Sequence, residues 1–344
     1  MTTPLNFSSD YTFGAHPAVL KALMDTNELR TPGYGTDDLC EKARSAIREA
    51  CACRDAEVHF FSGGTQANAT VITAALRHDQ GVLSADTGHV NLHEAGSIEA
   101  GGHKVLTVPH ENGKLTAAAV QAFLTAFYAD ENHAHMVCPG IVYISQPTEY
   151  GTLYSLKELR ALSAVCKAYG LPLYLDGARL AYALGSREND VTLPDIAACC
   201  DAFYIGGTKC GALFGEAVVL VNKALFPRFF TVVKQRGALL AKGRVLGVQF
   251  SALFTDGLYE SIGKTAVAAA DGLRKLFREK GYPLFMENPT NQVFVVFPDE
   301  KIKTLRPEVS FGFWEKYDDA HTVVRFAADW ATDQAMLDAL RELL

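Results

Sequence analysis

Between about residue 57 and residue 221 the chain alternates short apolar runs with longer stretches whose apolar positions recur every three or four residues. The runs at 57–61, 81–85, 104–108, 140–145, 171–175, 202–205 and 217–221 are dense in Val, Ile, Leu, Phe and Tyr and read as strands. Segments 64–77, 92–100, 116–128, 156–169 and 178–184 carry the helical period. Regular alternation of the two predicts an α/β fold: a mostly parallel central sheet with helices on both faces. In such sheets ligands collect beyond the carboxyl ends of the strands.

After residue 248 the pattern changes. Helical stretches at 249–258 and 261–280 lead to strands near 292–297 and 322–327, and a last helix runs from about 332 to 344. This predicts a large α/β domain over 14–248 and a smaller C-terminal α+β domain over 249–344, completed by residues 1–13. Residues 283–290 are turn-rich but too few for a flexible linker.

Composition narrows the function classes. The chain has 344 residues, 49% hydrophobic and 21% charged, with a net charge of −7. That balance suits a protein with a sizeable core and gives no broad nucleic-acid footprint. No apolar stretch approaches membrane-spanning length, and residues 1–11 do not read as a signal peptide. The eight cysteines form no Cys-x-x-Cys pair and no zinc-type spacing. Reduced thiols, a cytoplasmic location and no metal site are the expectation.

Four segments carry chemistry, each placed after a strand. Ser62-Gly63-Gly64-Thr65-Gln66-Ala67-Asn68 opens a helix, where small residues and free N–H groups suit a phosphate. An ordinary strand-to-helix turn capped by Thr65 is the competing reading. Asp86-Thr87-Gly88-His89, with Glu94 beyond it, supplies a ring that can stack on a cofactor and exchange protons near neutral pH. Asp176-Gly177-Ala178-Arg179 ends a buried strand. Its carboxylate could keep a pyridinium nitrogen protonated, Ala178 leaves room for a flat ring, and Arg179 could fork onto a carboxylate. Thr208-Lys209 lies in a glycine-rich loop, where a desolvated lysine becomes nucleophilic. No segment decides the matter alone; their order describes a complete pyridoxal 5'-phosphate site.

In that order these residues resemble the low-specificity L-threonine aldolase and β-eliminating lyase family of fold-type I, transferase-like, pyridoxal-phosphate-dependent enzymes. The likeness extends from Ser8-Ser9-Asp10-Tyr11 through Tyr34-Gly35-Thr36-Asp37 to Val323-Val324-Arg325-Phe326. It implies that Lys209 holds the cofactor as a Schiff base, Asp176 pairs with the pyridine nitrogen, and His89 stacks opposite Ala178. Gly64, Thr65 and Thr208 would bind the phosphate. Arg179 and Arg325, assisted by Ser9, would hold the substrate carboxylate, with Tyr34 close by. Arg244 matches a basic residue contributed across a subunit interface, so the resemblance implies a homodimer or homotetramer with shared sites.

The resemblance further implies cleavage of L-threonine or L-allo-threonine to glycine and an aldehyde, with His89 as base towards the β-hydroxyl. β-Elimination, transamination or racemisation of a related amino acid, and a non-catalytic binding protein on the same fold, are the alternatives. One departure stands out. Many relatives place a second histidine near the substrate hydroxyl, where this chain reads Ser145-Gln146-Pro147-Thr148-Glu149. Thr148 or Glu149 is left to make that contact.

Overall fold

The computed structural model describes residues 5–344, which form twelve strands in three sheets. The strands are β1 (Leu5–Asn6), β2 (Glu57–Phe61), β3 (Gln80–Ala85), β4 (Val105–Val108), β5 (Cys138–Ser145) and β6 (Leu173–Asp176). They continue as β7 (Ala202–Gly206), β8 (Glu216–Leu220), β9 (Gln292–Pro298), β10 (Val309–Ser310), β11 (Gly312–Lys316) and β12 (His321–Ala327). Seven of them build one sheet in the order β2-β8-β7-β6-β5-β3-β4. Neighbours pair in parallel except at β8, which runs antiparallel to both β2 and β7. The mostly parallel sheet expected from the alternation is therefore present.

The apolar runs are continuous because both sheet faces are covered. Val142, Ile144, Leu173, Leu175, Phe203 and Ile205 enter one core, while Ile141, Tyr143, Tyr174 and Tyr204 enter the other. Each fully buried aliphatic side chain contributes roughly 1.5–3 kcal/mol, so these strands form a rigid platform. Helix ends follow local chemistry. Ser155 and Glu158 make a capping box at the start of Leu156–Tyr169, and Gly170, at φ 67°, terminates it.

The single helix expected over 92–100 is two short ones, His89–Leu92 and Ser97–Ala100. Ala95 at φ 50° and Gly96 at φ 71° break the turn between them. The break directs the Glu94 carboxylate inwards, where it bonds His89 and Asn68.

The smaller sheet has the order β11-β12-β9 and is antiparallel. Its core joins Val293, Val295, Val324 and Phe326 to Leu273 and Phe277 of the 22-residue helix Leu258–Glu279. Phe7 lies in the same core, and β1 pairs in parallel with β10. The N-terminal segment is thus anchored on the small sheet just before Ser9 and Asp10.

The earlier half of the long helix crosses Leu180–Leu184 at very close range. A Cβ on Gly263 would stand 1.9 Å from the Ala181 carbonyl oxygen. Backbone cannot yield there without moving both helices. Gly263→Ala should cost about 1–3 kcal/mol through overpacking, read as a lower urea midpoint. An unchanged midpoint would show that the helices slide apart freely.

Candidate active site

Five parallel strands and the antiparallel β8 deliver side chains to one end of the sheet, as the carboxyl-end rule requires. β2 leads into Ser62, Gly63 and helix Gly64–Ala75; β3 leads to His89; β5 to Glu149; β6 to Asp176; and β7 to Thr208 and Lys209. β8 starts at this end with Glu216. They enclose a cavity of about 300 Å³. A second space of about 590 Å³ shares Tyr11, His89, Glu149, Arg179 and Lys209 with it and reaches Arg325.

Asp176 is buried and heavily bonded. Its Oδ1 accepts from the Ala178 N–H at 2.9 Å, and its Oδ2 accepts from Asn68 Nδ2 at 2.9 Å and the Tyr143 hydroxyl at 2.7 Å. Burial alone would raise its pKa, but facing His89, the Tyr204 hydroxyl, Asn68 and the Ala178 N–H outweigh it and hold the carboxyl below its ordinary value. Asn68 is oriented by the Tyr174 hydroxyl at 2.9 Å and donates also to Glu94 Oε1 at 2.7 Å. That same oxygen meets His89 Nδ1 at 2.8 Å. A proton on Nδ1 satisfies this contact and leaves Nε2 as the remaining ring nitrogen for chemistry.

Lys209 is half-buried, and its ammonium has no hydrogen-bond partner among the described residues. Burial lowers its pKa and the Arg179 charge adds to this, opposed by Asp10, Asp176 and Glu216. The loop carrying it is tight. A Cβ on Gly177 would lie 2.0 Å from the Tyr204 carbonyl oxygen, and one on Gly206 would lie 2.3 Å from that of Ala178. The glycines let the two strand ends approach closely enough to place Asp176 and Lys209 on one cavity. Glu216 accepts from the Gly207 N–H at 3.0 Å. Burial pushes its carboxyl up to about 7, against the Thr208 hydroxyl, the Lys209 charge and the Gly207 N–H.

The start of helix Gly64–Ala75 has no side-chain cap, since Gly63 stands at the N-cap. Among the described residues the N–H groups of Gly64, Thr65 and Gln66 find no acceptor, and Gly64, Thr65 and Thr208 line the cavity. Such a set suits a phosphate. A nucleophilic amine, an ionised carboxylate for a ring nitrogen, and His89 and Ala178 on the walls also fit the other parts of pyridoxal phosphate.

The carboxylate-binding candidates behave differently from one another. Arg179 is already committed: Nε and Nη2 donate to the Asp10 carboxylate at 2.6 and 3.1 Å. Its Nη1 is left without a partner among the described residues. Arg325 donates from Nη1 to Gln292 Oε1 at 3.2 Å and from Nη2 to the Ser8 carbonyl at 3.1 Å, while its Nε is buried and unpaired. Ser9 Oγ is likewise buried without a partner.

Four expected residues do not line this cavity, Ser9 with its enclosed hydroxyl among them. Thr148 is turned into its own turn, with its hydroxyl 2.7 Å from Thr152 Oγ1, and its neighbour Glu149 faces the cavity instead. Expectation of a substrate contact from Thr148 is corrected on that ground. Tyr34 lines a separate cleft beside Arg44 and His59, under the Lys234 ammonium at 4.8 Å from its ring. Arg244 donates to the carbonyls of Thr26 and Asn27. Sequence reading passed over Asn68, Tyr143, Tyr204, Asp10 and Glu216. A usable signal existed for two: Asn68 is polar on a buried helix face, and Glu216 is a lone charge opening an apolar strand.

Residues 6–300 match the β-eliminating lyase family. A low-specificity L-threonine aldolase of Pseudomonas sp. (strain NCIMB 10558) is 31% identical over 341 residues, covering 97% of this chain and 95% of that one. A threonine aldolase structure from Leishmania major superposes with a TM-score of 0.94 at 41% identity over 99% of both chains. An aspartate aminotransferase mutant from Thermus thermophilus has a TM-score of 0.71 at 14% identity, over 99% of this chain and 90% of that one, a likeness of fold alone. The architecture is the fold-type I, transferase-like α/β fold. On the family match over residues 6–300 and the identity to the Pseudomonas protein, the chain belongs to the β-eliminating lyase family.

Proposed function

We propose that this lyase cleaves β-hydroxy-α-amino acids, L-threonine and L-allo-threonine among them, to glycine and an aldehyde with pyridoxal phosphate as cofactor. The observation that carries the reading is the meeting of Lys209, Asp176 and the uncapped helix at Gly64 on one cavity. The names of the Pseudomonas and Leishmania relatives point to the same reaction. When bound, the cofactor supplies an electron sink for the pair released as the Cα–Cβ bond breaks.

The chain's own residues do the rest. Lys209 Nζ is the amine that holds the cofactor aldehyde. The N–H groups of Gly64 and Thr65, with the Thr208 hydroxyl, bind its phosphate. Asp176 keeps a proton on the ring nitrogen, and His89 and Ala178 flank the ring. Arg179 Nη1 and the Arg325 guanidinium, with Ser9 assisting, would hold the substrate carboxylate and so fix the direction of the bond to be broken. Residues 14–248 act as the cofactor domain, and 5–13 with 249–344 as the smaller one; residues 1–4 of the expected small domain lie outside the described residues. A second copy of the chain would bring Tyr34 and Arg244 towards this cavity, an arrangement supported by the exposure of Leu20, Met24, Leu29, Tyr34 and Phe230. All eight cysteines are free thiols, which suits the reducing cytoplasm. Among the described residues no helix is long and apolar enough to cross a membrane.

Purified protein supplied with pyridoxal phosphate should release acetaldehyde and glycine from threonine. Pyruvate with ammonia would indicate elimination instead, and a keto acid transamination. Absence of aldehyde from threonine, allo-threonine and phenylserine alike would end the aldolase reading.

A further inference from the structure

Glu149 stands on the wall shared by both parts of the cavity, between the Lys209–Asp176 end and the Arg325 end. Its Oε1 is held by two donors, the Ser145 hydroxyl at 2.7 Å and the His89 N–H at 3.0 Å. Its backbone carbonyl accepts from Gln292 Nε2 at 3.2 Å, which ties the turn to the small sheet. Oε2 has no hydrogen-bond partner among the described residues. One carboxylate oxygen is therefore anchored and the other is presented to the cavity in a fixed direction.

From this geometry we infer that Glu149 Oε2 accepts the proton of the substrate's β-hydroxyl as the Cα–Cβ bond breaks. The inference rests on the aldolase reading and names the group acting at the hydroxyl. As the O–H bond breaks, its electron pair becomes the second bond of the new carbonyl. The Cα–Cβ pair would be taken up by the bound cofactor. Cα later gains one proton as Glu149 releases one, so the overall cleavage neither takes up nor gives out a net proton.

His89 is the rival acceptor. Its Nδ1 is spent on Glu94, and in the proposed arrangement its flat face lies against the cofactor ring. Glu149 has no such second task. Its proton affinity also suits the step: burial raises it, and the nearby Asp176 charge adds to this, opposed by the Ser145 hydroxyl, its own backbone N–H and His89. Lys209, Arg179 and Arg325 are the lysine and arginine groups lining the two spaces that Glu149 borders. A carboxylate with a raised pKa is a better base near neutral pH than an ordinary one.

The test compares two reactions of the holoenzyme. Threonine cleavage needs a group at the β-hydroxyl; exchange of the glycine Cα proton with deuterated water does not. In Glu149→Gln, kcat for threonine should fall on the order of 10²–10⁴-fold. Glycine exchange and glycine affinity should stay within about threefold, which also reports that the variant is folded and loaded. His89→Asn serves as the comparison. Threonine cleavage by Glu149→Gln within about threefold of the unaltered enzyme overturns the inference, and it does so decisively if His89→Asn alone loses cleavage. Equal loss of cleavage and glycine exchange in Glu149→Gln overturns it too, since the residue would then be supporting the whole site. An unaltered enzyme that exchanges glycine but yields no aldehyde refutes the aldolase reading itself, and this inference with it.

Discussion

Lys209→Ala should abolish turnover, lowering it on the order of 10³-fold or more, and should leave pyridoxal phosphate removable by dialysis. The expectation follows from where the lysine stands. It is set in a loop whose glycines sit hard against neighbouring backbone, and its ammonium has no partner among the described residues to compete for it. Burial and the Arg179 charge lower its pKa, so the neutral amine is available over a wider range than for a surface lysine. Covalent capture of the cofactor should accordingly persist at neutral pH and slow as the solution is acidified through that lowered pKa. The check is spectral and chemical: yellow protein, colour lost on borohydride reduction, and the label found on the peptide containing Lys209. Label on another lysine, or turnover in the variant within tenfold of normal, would remove Lys209 from the centre of the site.

Asp10→Asn should cost about 3–5 kcal/mol of stability at neutral pH, because it leaves the Arg179 guanidinium buried without its counter-charge. The pair is bidentate, at 2.6 and 3.1 Å, and Asp10 also accepts from Asn291 at 2.9 Å. Burial works against the ionised carboxyl, but the charges of Arg179 and Lys209 and the Arg179 and Asn291 hydrogen bonds prevail, taking its pKa from 3.8 to about 2. A depressed carboxyl pKa stabilises the fold above the unfolded value and loses that contribution as pH falls through the folded one. The ionisation share amounts to about 2 kcal/mol. Urea midpoints of the two proteins should therefore be far apart at neutral pH and begin to converge below about pH 4, where the Asp10 carboxyl of the parent's unfolded chain starts to protonate, and the ionisation share should be gone only once the pH has passed through about 2. A gap that is small at neutral pH, or constant on acidification, would show that Arg179 finds another partner. Loss of Asp10 should also free Nε and Nη2 of Arg179, so a folded Asp10→Asn protein should bind glycine with altered affinity.

Both expectations expose the same design. Charged groups on the cavity are held by second partners that leave one atom free: Nη1 of Arg179, Oε2 of Glu149 and Nε2 of His89. Asn68 links the His89 system to Asp176 by bonding both Glu94 and Asp176. Preorganisation of this kind avoids rearranging dipoles when substrate binds.

Much of this was legible along the chain. Alternating apolar runs and helical periods announced a parallel sheet, because strands covered on both faces need no polar alternation. Lys209, Asp176, His89 and Gly64 could be singled out because each follows a strand, and parallel strands bring their ends together whatever their separation in sequence. Local signals could not show which atoms of those residues are already in use. Arg179 is paired with Asp10, 169 residues away, because β1 pairs with β10 and the Phe7 carbonyl that follows it accepts from Ala327 of the small sheet. Glu149 rather than Thr148 faces the cavity because the turn after β5 folds the threonine back onto Thr152. Glu94 leaves its expected helix where Ala95 and Gly96 break the turn, and there it meets Asn68 and His89. Periodicity is set residue by residue along the chain and survives in the sequence. Pairing of buried polar groups depends on which surfaces meet when the chain closes, and that was decided by the tertiary structure alone.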